Sequence, residues 1–224
     1  MRFPDPQQFD REGLVAIGGD LRPERLLLAY RSGIFPWYAE GYVPMWWSPD
    51  PRAVVTPECL HVSRSLRRVL RRADFHLTWN RCFARVMNEC GRGRAEGTWV
   101  IPEMVAAYTR LHELGRAHSV EVWHEGELVG GTYGVQIGAL FAAESMFHRR
   151  TDMSKVALVA LVQTAGAAGI EVFDVQFLTR HLATLGAYEL ARRDYLERLR
   201  SLRDEVVDLR HVQPAATPPS SSDA

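Results

Sequence analysis

The segment from residue 138 to residue 176 constrains the fold more than any other part of the chain. Two apolar runs, 139–147 and 170–177, have the length of buried strands. Between them, apolar residues from 152 to 168 recur at helical spacing. The segment therefore predicts a strand, a helix and a second strand.

Three polar side chains interrupt these apolar strands: Glu144, Asp174 and Gln176. Successive side chains of a strand point to opposite faces, so Asp174 and Gln176 share one face. If the two strands are neighbours, Glu144 lies beside that pair. The sequence thus predicts a chemical centre at this cluster. The plain alternative is that polar residues at strand ends only cap the neighbouring backbone.

The length of 224 residues suits one large domain, or one domain with a small companion. Residues 1–60 are rich in glycine, proline and aromatic residues and predict a small N-terminal domain. Residues 61–212 predict a mixed α and β domain. The small, polar, proline-rich tail 213–224 is predicted to be disordered.

The 27 basic and 27 acidic residues give a formal net charge of zero, so a nucleic-acid partner requires a local basic patch. Three cysteines without paired spacing argue against a disulfide scaffold and a thiolate zinc site. The first residues lack the apolar core that is typical of a signal peptide, and no apolar run approaches the roughly 18 residues that suggest a membrane span. These features predict a cytoplasmic protein without a membrane partner.

Tryptophans cluster between residues 35 and 52. Trp46 and Trp47 suit an aromatic core or a binding surface equally well. Trp37 lies in a turn-rich stretch and is the better candidate for an exposed surface that stacks on a nucleobase. Trp99, which ends a loop with two arginines, is a second candidate.

The segment 61–72 predicts an amphipathic helix whose polar face is entirely basic. Its apolar face is formed by Val62, Leu66, Val69 and Leu70, and its basic face by Arg64, Arg68, Arg71 and Arg72. A solvated surface is the plain interpretation. A stripe of one sign in a neutral protein favours a phosphate-binding surface instead. We call these four residues the arginine stripe.

From residue 75 onward the patterns predict a strand, two helices, a three-strand meander, a helix, a strand and closing helices. Asn80 is the expected N-cap of the first helix, and glycines 130, 131 and 134 indicate a bulge or close backbone contact. This α+β layout with a mixed sheet matches that of the GCN5-related N-acetyltransferases. The junction 146–155 lacks the glycines that bind coenzyme A phosphates in those enzymes. Two alternatives stay open: a coenzyme A-dependent N-acetyltransferase and a non-catalytic tRNA-binding protein.

Several motifs resemble the leucyl/phenylalanyl-tRNA–protein transferase family. They include Gly-Ile-Phe-Pro-Trp at 33–37, Trp-Trp-Ser-Pro-Asp-Pro-Arg at 46–52 and Asp-Val-Gln at 174–176. Further matching blocks lie at 13–21, 96–99, 111–115, 128–135 and 144–147. They occur in order across about residues 3 to 200, and the tail lies outside them.

This resemblance implies transfer of leucine or phenylalanine from aminoacyl-tRNA to an N-terminal arginine or lysine of a protein, in the N-degron pathway. It implies a monomer with no metal and no organic cofactor. Glu144, Asp174 and Gln176 would bind the acceptor and catalyse, and the arginine stripe would hold the tRNA body. The other substrate-binding residues it implies are Trp37, Trp99, Thr132, Phe141, Met146, Leu158, Leu161 and Phe173. Where family members can carry bulky aromatics, this chain has Leu161 and Ala165, so the preference between leucine and phenylalanine is left open.

The chemistry that this resemblance implies needs no strong base. The donor is an activated ester, and an α-amine with a pKa of about 8 is partly neutral near pH 7. The amide oxygen of Gln176 can accept a hydrogen bond from the attacking amine. Asp174 can orient Gln176 or pass a proton onward. Glu144 supplies negative charge for a cationic N-terminal residue.

Overall fold

A computed structural model describes residues 2–72, 74–92 and 98–214. Within those ranges the strands are β1 (Leu14–Ile17), β2 (Phe35–Pro36), β3 (Met45–Trp47), β4 (Arg52–Val55), β5 (His76–Trp79), β6 (Ala117–His124), β7 (Glu127–Ile137), β8 (Leu140–His148), β9 (Val172–Gln176) and β10 (Tyr188–Leu190). The α-helices are α1 (Pro23–Arg31), α2 (Arg64–Leu70), α3 (Phe83–Gly91), α4 (Pro102–Glu113), α5 (Met153–Ala167), α6 (Arg180–Ala183) and α7 (Arg192–Leu202).

The strands form two sheets. A small sheet has the order β1-β3-β2, and a seven-stranded sheet has the order β10-β4-β9-β8-β7-β6-β5. In the large sheet β6, β7 and β8 form an antiparallel meander, whereas β8 and β9 are parallel and joined by α5. The sheet is therefore mixed, and the expected α+β class is confirmed. The elements predicted from residue 75 onward occur in the expected order, with the unpredicted β10 between α6 and α7.

Two apolar layers cover the large sheet, one on each face. Helix α5 packs on one face, and α3 and α4 pack on the other. Helix α5 is buried along nearly its whole length, which explains its continuous apolar sequence. Its first turn lies so close to β7 that a Cβ on Gly130 would be 2.6 Å from the Cβ of Met153. Only glycine fits this contact.

The N-terminal segment contributes to the large sheet. Strand β4 lies between β9 and β10, although it falls within residues 1–60. Leu26 and Trp46 belong to the same core cluster as Tyr195. The division of the chain at residue 60 stays a prediction, and residues 215–224 of the tail lie outside the described part of the chain.

Asn80 does not cap α3. Its φ is 59°, and its Oδ1 accepts a hydrogen bond from the amide of Ser119 at 3.0 Å, so it closes the connection from β5 instead. Cys82 holds the N-cap position without a side-chain hydrogen bond. Among the described residues, no helix combines the length and the apolar character that crossing a membrane requires.

Candidate active site

The candidate site lies where β8 and β9 separate. Their pairing ends at Ala142 and Asp174, but β8 continues to His148 and β9 to Gln176. The divergence leaves a cavity of about 280 Å³. We call it the split cavity, and it is lined by Phe35, Pro36, Trp37, Trp99, Glu144, Val175, Gln176, Phe177, Thr179 and Leu182.

A β-bulge delivers Glu144 to this cavity. Tyr133 pairs with Ser145 and Gly134 pairs with Ala143, so Glu144 is an extra residue without a partner on β7. The bulge depends on Gly134, because a Cβ there would be 2.1 Å from the carbonyl oxygen of Ala142. The bulge expected from the glycines is thus present, and it turns Glu144 toward the gap between the strands.

Asp174 is completely buried and fully hydrogen-bonded. The guanidinium of Arg52 donates to both of its oxygens, from Nε to Oδ1 at 2.8 Å and from Nη2 to Oδ2 at 2.6 Å. The hydroxyl of Tyr195 donates to Oδ2 at 2.8 Å, and the amide of Gln176 donates to Oδ1 at 3.0 Å. An Asp174 carboxylate held in this way orients its neighbours and has no free oxygen toward the cavity.

Gln176 occupies a tight turn at the end of β9. Its φ is 59°, and the amide of Phe177 donates to the carbonyl of Val175 at 2.7 Å, which is the rare positive-φ form of a γ-turn. Its Nε2 donates to the carbonyl of Asp174 at 3.2 Å. The side-chain oxygen of Gln176 is thereby left as the acceptor available at the split cavity.

Glu144 is half-buried, and its Oε1 has no hydrogen-bond partner among the described residues. Burial raises the pKa of the Glu144 carboxyl to about 8, and the charge of Asp174 acts in the same direction. The neighbouring Tyr30 hydroxyl and Arg52 favour the charged form. The Tyr30 hydroxyl is also hydrogen-bonded to that of Tyr108 at 2.5 Å.

Aromatic residues form another wall of the cavity. Trp37 is 43% exposed, and its ring centroid lies 5.6 Å from that of Phe177 and 5.9 Å from that of Trp47. Trp99 also lines the cavity. Trp46, in contrast, is buried in the core, and its Nε1 donates to the carbonyl of Gly18. Trp37 thus has the exposure that a stacking surface needs.

Six further residues that the resemblance implies for substrate binding are buried or partly buried. Five of them are buried: Thr132, Phe141, Leu158, Leu161 and Phe173. Met146 is partly buried against the same apolar layer under α5. None of these six lines the split cavity. Val175 and Leu182 line it and also belong to that layer, so they connect the two.

The arginine stripe begins on α2 and continues past its end: Arg64 and Arg68 lie within the helix, Arg71 holds the C-cap position and Arg72 follows it. The helix is thus shorter than the predicted segment 61–72. Ser63 caps this helix by accepting a hydrogen bond from the amide of Leu66, and Leu66 and Leu70 are buried. All four arginines of the stripe, together with Arg67, are exposed. Within the described ranges none of them forms an ion pair with a carboxylate. The expected unpaired basic face is therefore present.

The junction between β8 and α5 differs from the stripe because its cations are paired. The pairs are Arg149 with Glu89, Arg150 with Asp74, and Lys155 with Asp152. The amides of Arg149 and Arg150 both donate to the carbonyl of Val129. The side chains of Arg149, Arg150 and Lys155 are thus engaged by carboxylates, and the amides of Arg149 and Arg150 are engaged by Val129.

Sequence reasoning missed three residues that shape the site. Arg52 and Tyr195 hold Asp174, and Tyr30 adjoins Glu144. Arg52 belongs to the motif at 46–52, but Asp174, its partner, is 122 positions away in the chain. No group of three or more potential metal ligands occurs in the ranges that the structure describes.

The element order and the seven-stranded mixed sheet, which splits between β8 and β9, define a mixed α+β protein. Similarity to known proteins is more specific. Residues 54–200 match the family model described as leucyl/phenylalanyl-tRNA protein transferase, and residues 19–50 match the model of its N-terminal domain. The chain belongs to the leucyl/phenylalanyl-tRNA protein transferase family.

Individual relatives agree with this assignment. The chain is 55% identical to a leucyl/phenylalanyl-tRNA–protein transferase from Syntrophobacter fumaroxidans, over 92% of this chain and 89% of that protein. It is 52% identical to the one from Shigella sonnei, over 90% of this chain and 87% of that protein.

Among solved structures, a GCN5-related N-acetyltransferase from Kribbella flavida matches 75% of this chain and 61% of that chain, with a TM-score of 0.42 and 13% identity.

Proposed function

We propose that this protein transfers leucine or phenylalanine from aminoacyl-tRNA to an N-terminal arginine or lysine of acceptor proteins. The observation that carries the proposal is the split cavity, which joins an exposed tryptophan to an unpaired carboxyl and an amide oxygen. Family membership supplies the reaction class. The proposed setting is the cytoplasm and the N-degron pathway, with the protein acting as a monomer.

On the donor side, Trp37 and Trp99 stack on the terminal adenosine of the tRNA. Base–aromatic stacking contributes about 1–3 kcal/mol per base and does not depend on the identity of the base. The leucyl or phenylalanyl side chain enters past Val175 and Leu182 toward the apolar layer under α5. There it contacts Thr132, Phe141, Met146, Leu158, Leu161 and Phe173.

On the acceptor side, Glu144 faces the cationic N-terminal residue. The Gln176 side-chain oxygen accepts a hydrogen bond from the attacking amine and aims it at the ester carbonyl. Asp174 keeps Gln176 in place through its main-chain amide, and Arg52 holds Asp174. Positioning of two reactants in this way can lower a barrier by several kcal/mol.

The arginine stripe binds the tRNA body. Four exposed cations without carboxylate partners can neutralise successive phosphates, and such binding weakens as salt rises. The formal neutrality of the whole chain makes this local patch the proposed source of attraction for RNA.

The experiment that tests the proposal mixes the protein with labelled leucyl- or phenylalanyl-tRNA and a peptide that begins with arginine. Transfer to this peptide, and to one that begins with lysine, is expected. A peptide that begins with alanine and an uncharged tRNA serve as controls. Binding of tRNA without any transfer would instead identify a non-catalytic tRNA-binding protein.

A further inference from the structure

The split cavity holds one titratable side chain among its described lining residues, that of Glu144. Its Oε1 is buried without a hydrogen-bond partner within the described part of the chain. A buried carboxyl oxygen left unpaired is unfavourable, since proteins normally satisfy such groups. This unpaired oxygen belongs to a residue that lines the cavity of the proposed reaction.

Two tyrosines lie behind this carboxyl. The Tyr30 hydroxyl adjoins Glu144, and the Tyr108 hydroxyl is 2.5 Å from that of Tyr30. Both tyrosines are buried. Tyr108 can donate to Tyr30, and Tyr30 can then donate to a charged carboxylate. Rotation of the two hydroxyls lets the same pair accept from a neutral carboxylic acid.

The other polar groups of the site are unsuited to accept a proton. Both oxygens of Asp174 are occupied by Arg52, Tyr195 and the amide of Gln176. Gln176 carries an amide, which is not basic. Only Glu144 combines access to the cavity with a free oxygen among the described residues of the site.

We propose that Glu144 accepts the proton of the acceptor's α-ammonium group, and that Tyr30 and Tyr108 position its carboxyl for this step. The inference rests on the proposed transferase function and adds a catalytic base to it. Gln176 keeps its role of aligning the amine. Tyr30 and Tyr108 act through Glu144 and touch no reacting atom.

The α-ammonium gives one proton to the Glu144 carboxylate and becomes a neutral amine. The amine attacks the ester carbonyl, so a C–N bond forms while the C–O bond to the terminal ribose breaks. A second amine proton passes to the ribose oxygen, and the amide keeps the third. Glu144 afterwards releases its proton to solvent.

The charges around Glu144 suit this exchange. Its pKa of about 8 matches the α-amine value of about 8, so transfer between them is nearly balanced. The groups that face it are Tyr30, Tyr108, Asp174, Arg52 and Tyr195. A cationic side chain on the acceptor's first residue stabilises the carboxylate. An acceptor whose first residue is arginine or lysine would thereby favour the ionised Glu144 carboxylate, which is the form that accepts the proton.

The test is the pH dependence of kcat, measured with an arginyl peptide and saturating charged tRNA. The acid limb is the pH range in which kcat falls as the pH is lowered. In the wild type it should lie below pH 8, because the positive ammonium and guanidinium groups of the peptide lower the pKa of Glu144. In Glu144→Gln, the limb should move up to about 8, where it follows the α-amine. At pH 7 the kcat of Glu144→Gln should fall on the order of 100-fold.

Tyr30→Phe should move the limb upward as well, with a smaller loss of kcat, because one donor to the carboxylate is removed. Tyr108→Phe repeats this test if Tyr30→Phe does not fold. The exposed residues Glu127 and Tyr42 offer matched controls, Glu127→Gln and Tyr42→Phe, which should leave the profile unchanged.

The inference would be overturned if wild type and Glu144→Gln had the same acid limb and the substitution raised only the KM for the peptide. That result would mean that the Glu144 carboxylate binds the acceptor without accepting its proton. The proposed function would survive it. Absence of transfer by the wild-type protein would overturn the function and the inference together.

Discussion

The guanidinium of Arg52 and the carboxylate of Asp174 form a buried bidentate ion pair that fixes β4 against β9. The two side chains are each about 1% exposed. Arg52 also donates to the carbonyl of Gly33 and lies over the rings of Phe35 and Tyr195. Asp174 in turn accepts a hydrogen bond from the main-chain amide of Gln176. The ion pair therefore sets the position of Gln176, whose side-chain amide is proposed to act in catalysis.

Loss of one partner of this pair should destabilise the fold strongly. Asp174→Ala leaves the Arg52 charge buried and uncompensated, which typically reduces the free energy of unfolding by about 3–5 kcal/mol. Urea unfolding measures the change. The control is Asp208→Ala, which breaks the exposed pair with Arg210 and should leave stability nearly unchanged. Equal effects of the two substitutions would contradict the structural role of Asp174.

Gln176→Ala should lower kcat for transfer by about 10–100-fold, the equivalent of one hydrogen bond to a charged or reacting group. The positive φ of Gln176 complicates any substitution there, because side chains disfavour that conformation. Gln176→Gly adopts it freely and supplies the control. Both variants should be folded and impaired. Near-wild-type turnover in Gln176→Gly would remove Gln176 from the mechanism.

Replacement of all four arginines of the stripe by alanine should weaken tRNA binding and reduce its salt dependence. The slope of log K against log salt should become shallower by about 0.9 for each phosphate that is no longer neutralised. Filter binding at several salt concentrations measures it. The matched control removes four exposed arginines elsewhere: Arg22, Arg110, Arg193 and Arg200. A similar weakening in both variants would show that net charge alone, without the stripe, attracts the tRNA.

Folding raises the pKa of Glu144 from its ordinary 4.5 to about 8. Between these values the folded protein retains a proton that the unfolded chain releases. The stability linked to this group is therefore complete below pH 4.5 and is lost as the pH rises toward 8. The slope is at most about 1.4 kcal/mol per pH unit. Relative to Glu144→Gln, the wild type should become progressively less stable over this window.

Urea unfolding of both proteins at pH 5, 6.5 and 8 provides the measurement. The stability of wild type is compared with that of Glu144→Gln at each pH, because a second group also changes stability with pH. Burial lowers the pKa of His118 to about 4. Stability linked to His118 therefore rises with pH between about 4 and its ordinary 6.5, opposite to the effect of Glu144. His118 is common to both proteins and cancels. Parallel stability curves would contradict the raised pKa of Glu144.

Acetyl-coenzyme A should not bind. Its pyrophosphate would meet a junction whose cations are paired with carboxylates and whose amides at Arg149 and Arg150 are already bonded to Val129. Calorimetric titration at low salt checks this, with tRNA as the positive control. Saturable micromolar binding would restore the N-acetyltransferase alternative.

Much of the fold follows from local patterns. The helix of α5, the strands on either side of it and the meander before them each have a period and length that identify them. Strands β4 and β10 were not foreseen, since each has only three or four residues and is defined by pairing with distant partners. Short strands carry little local signal.

The sequence alone determined that Glu144, Asp174 and Gln176 are polar interruptions of apolar strands, and its motifs indicated the family. The tertiary structure decided what each can do. The bulge directs Glu144 toward the gap between β8 and β9. The ion pair with Arg52 occupies the carboxylate of Asp174 with hydrogen bonds. The turn at Gln176 leaves the side-chain oxygen of that residue available as an acceptor. These differences arise from contacts between residues far apart in the chain, which local periodicity does not encode.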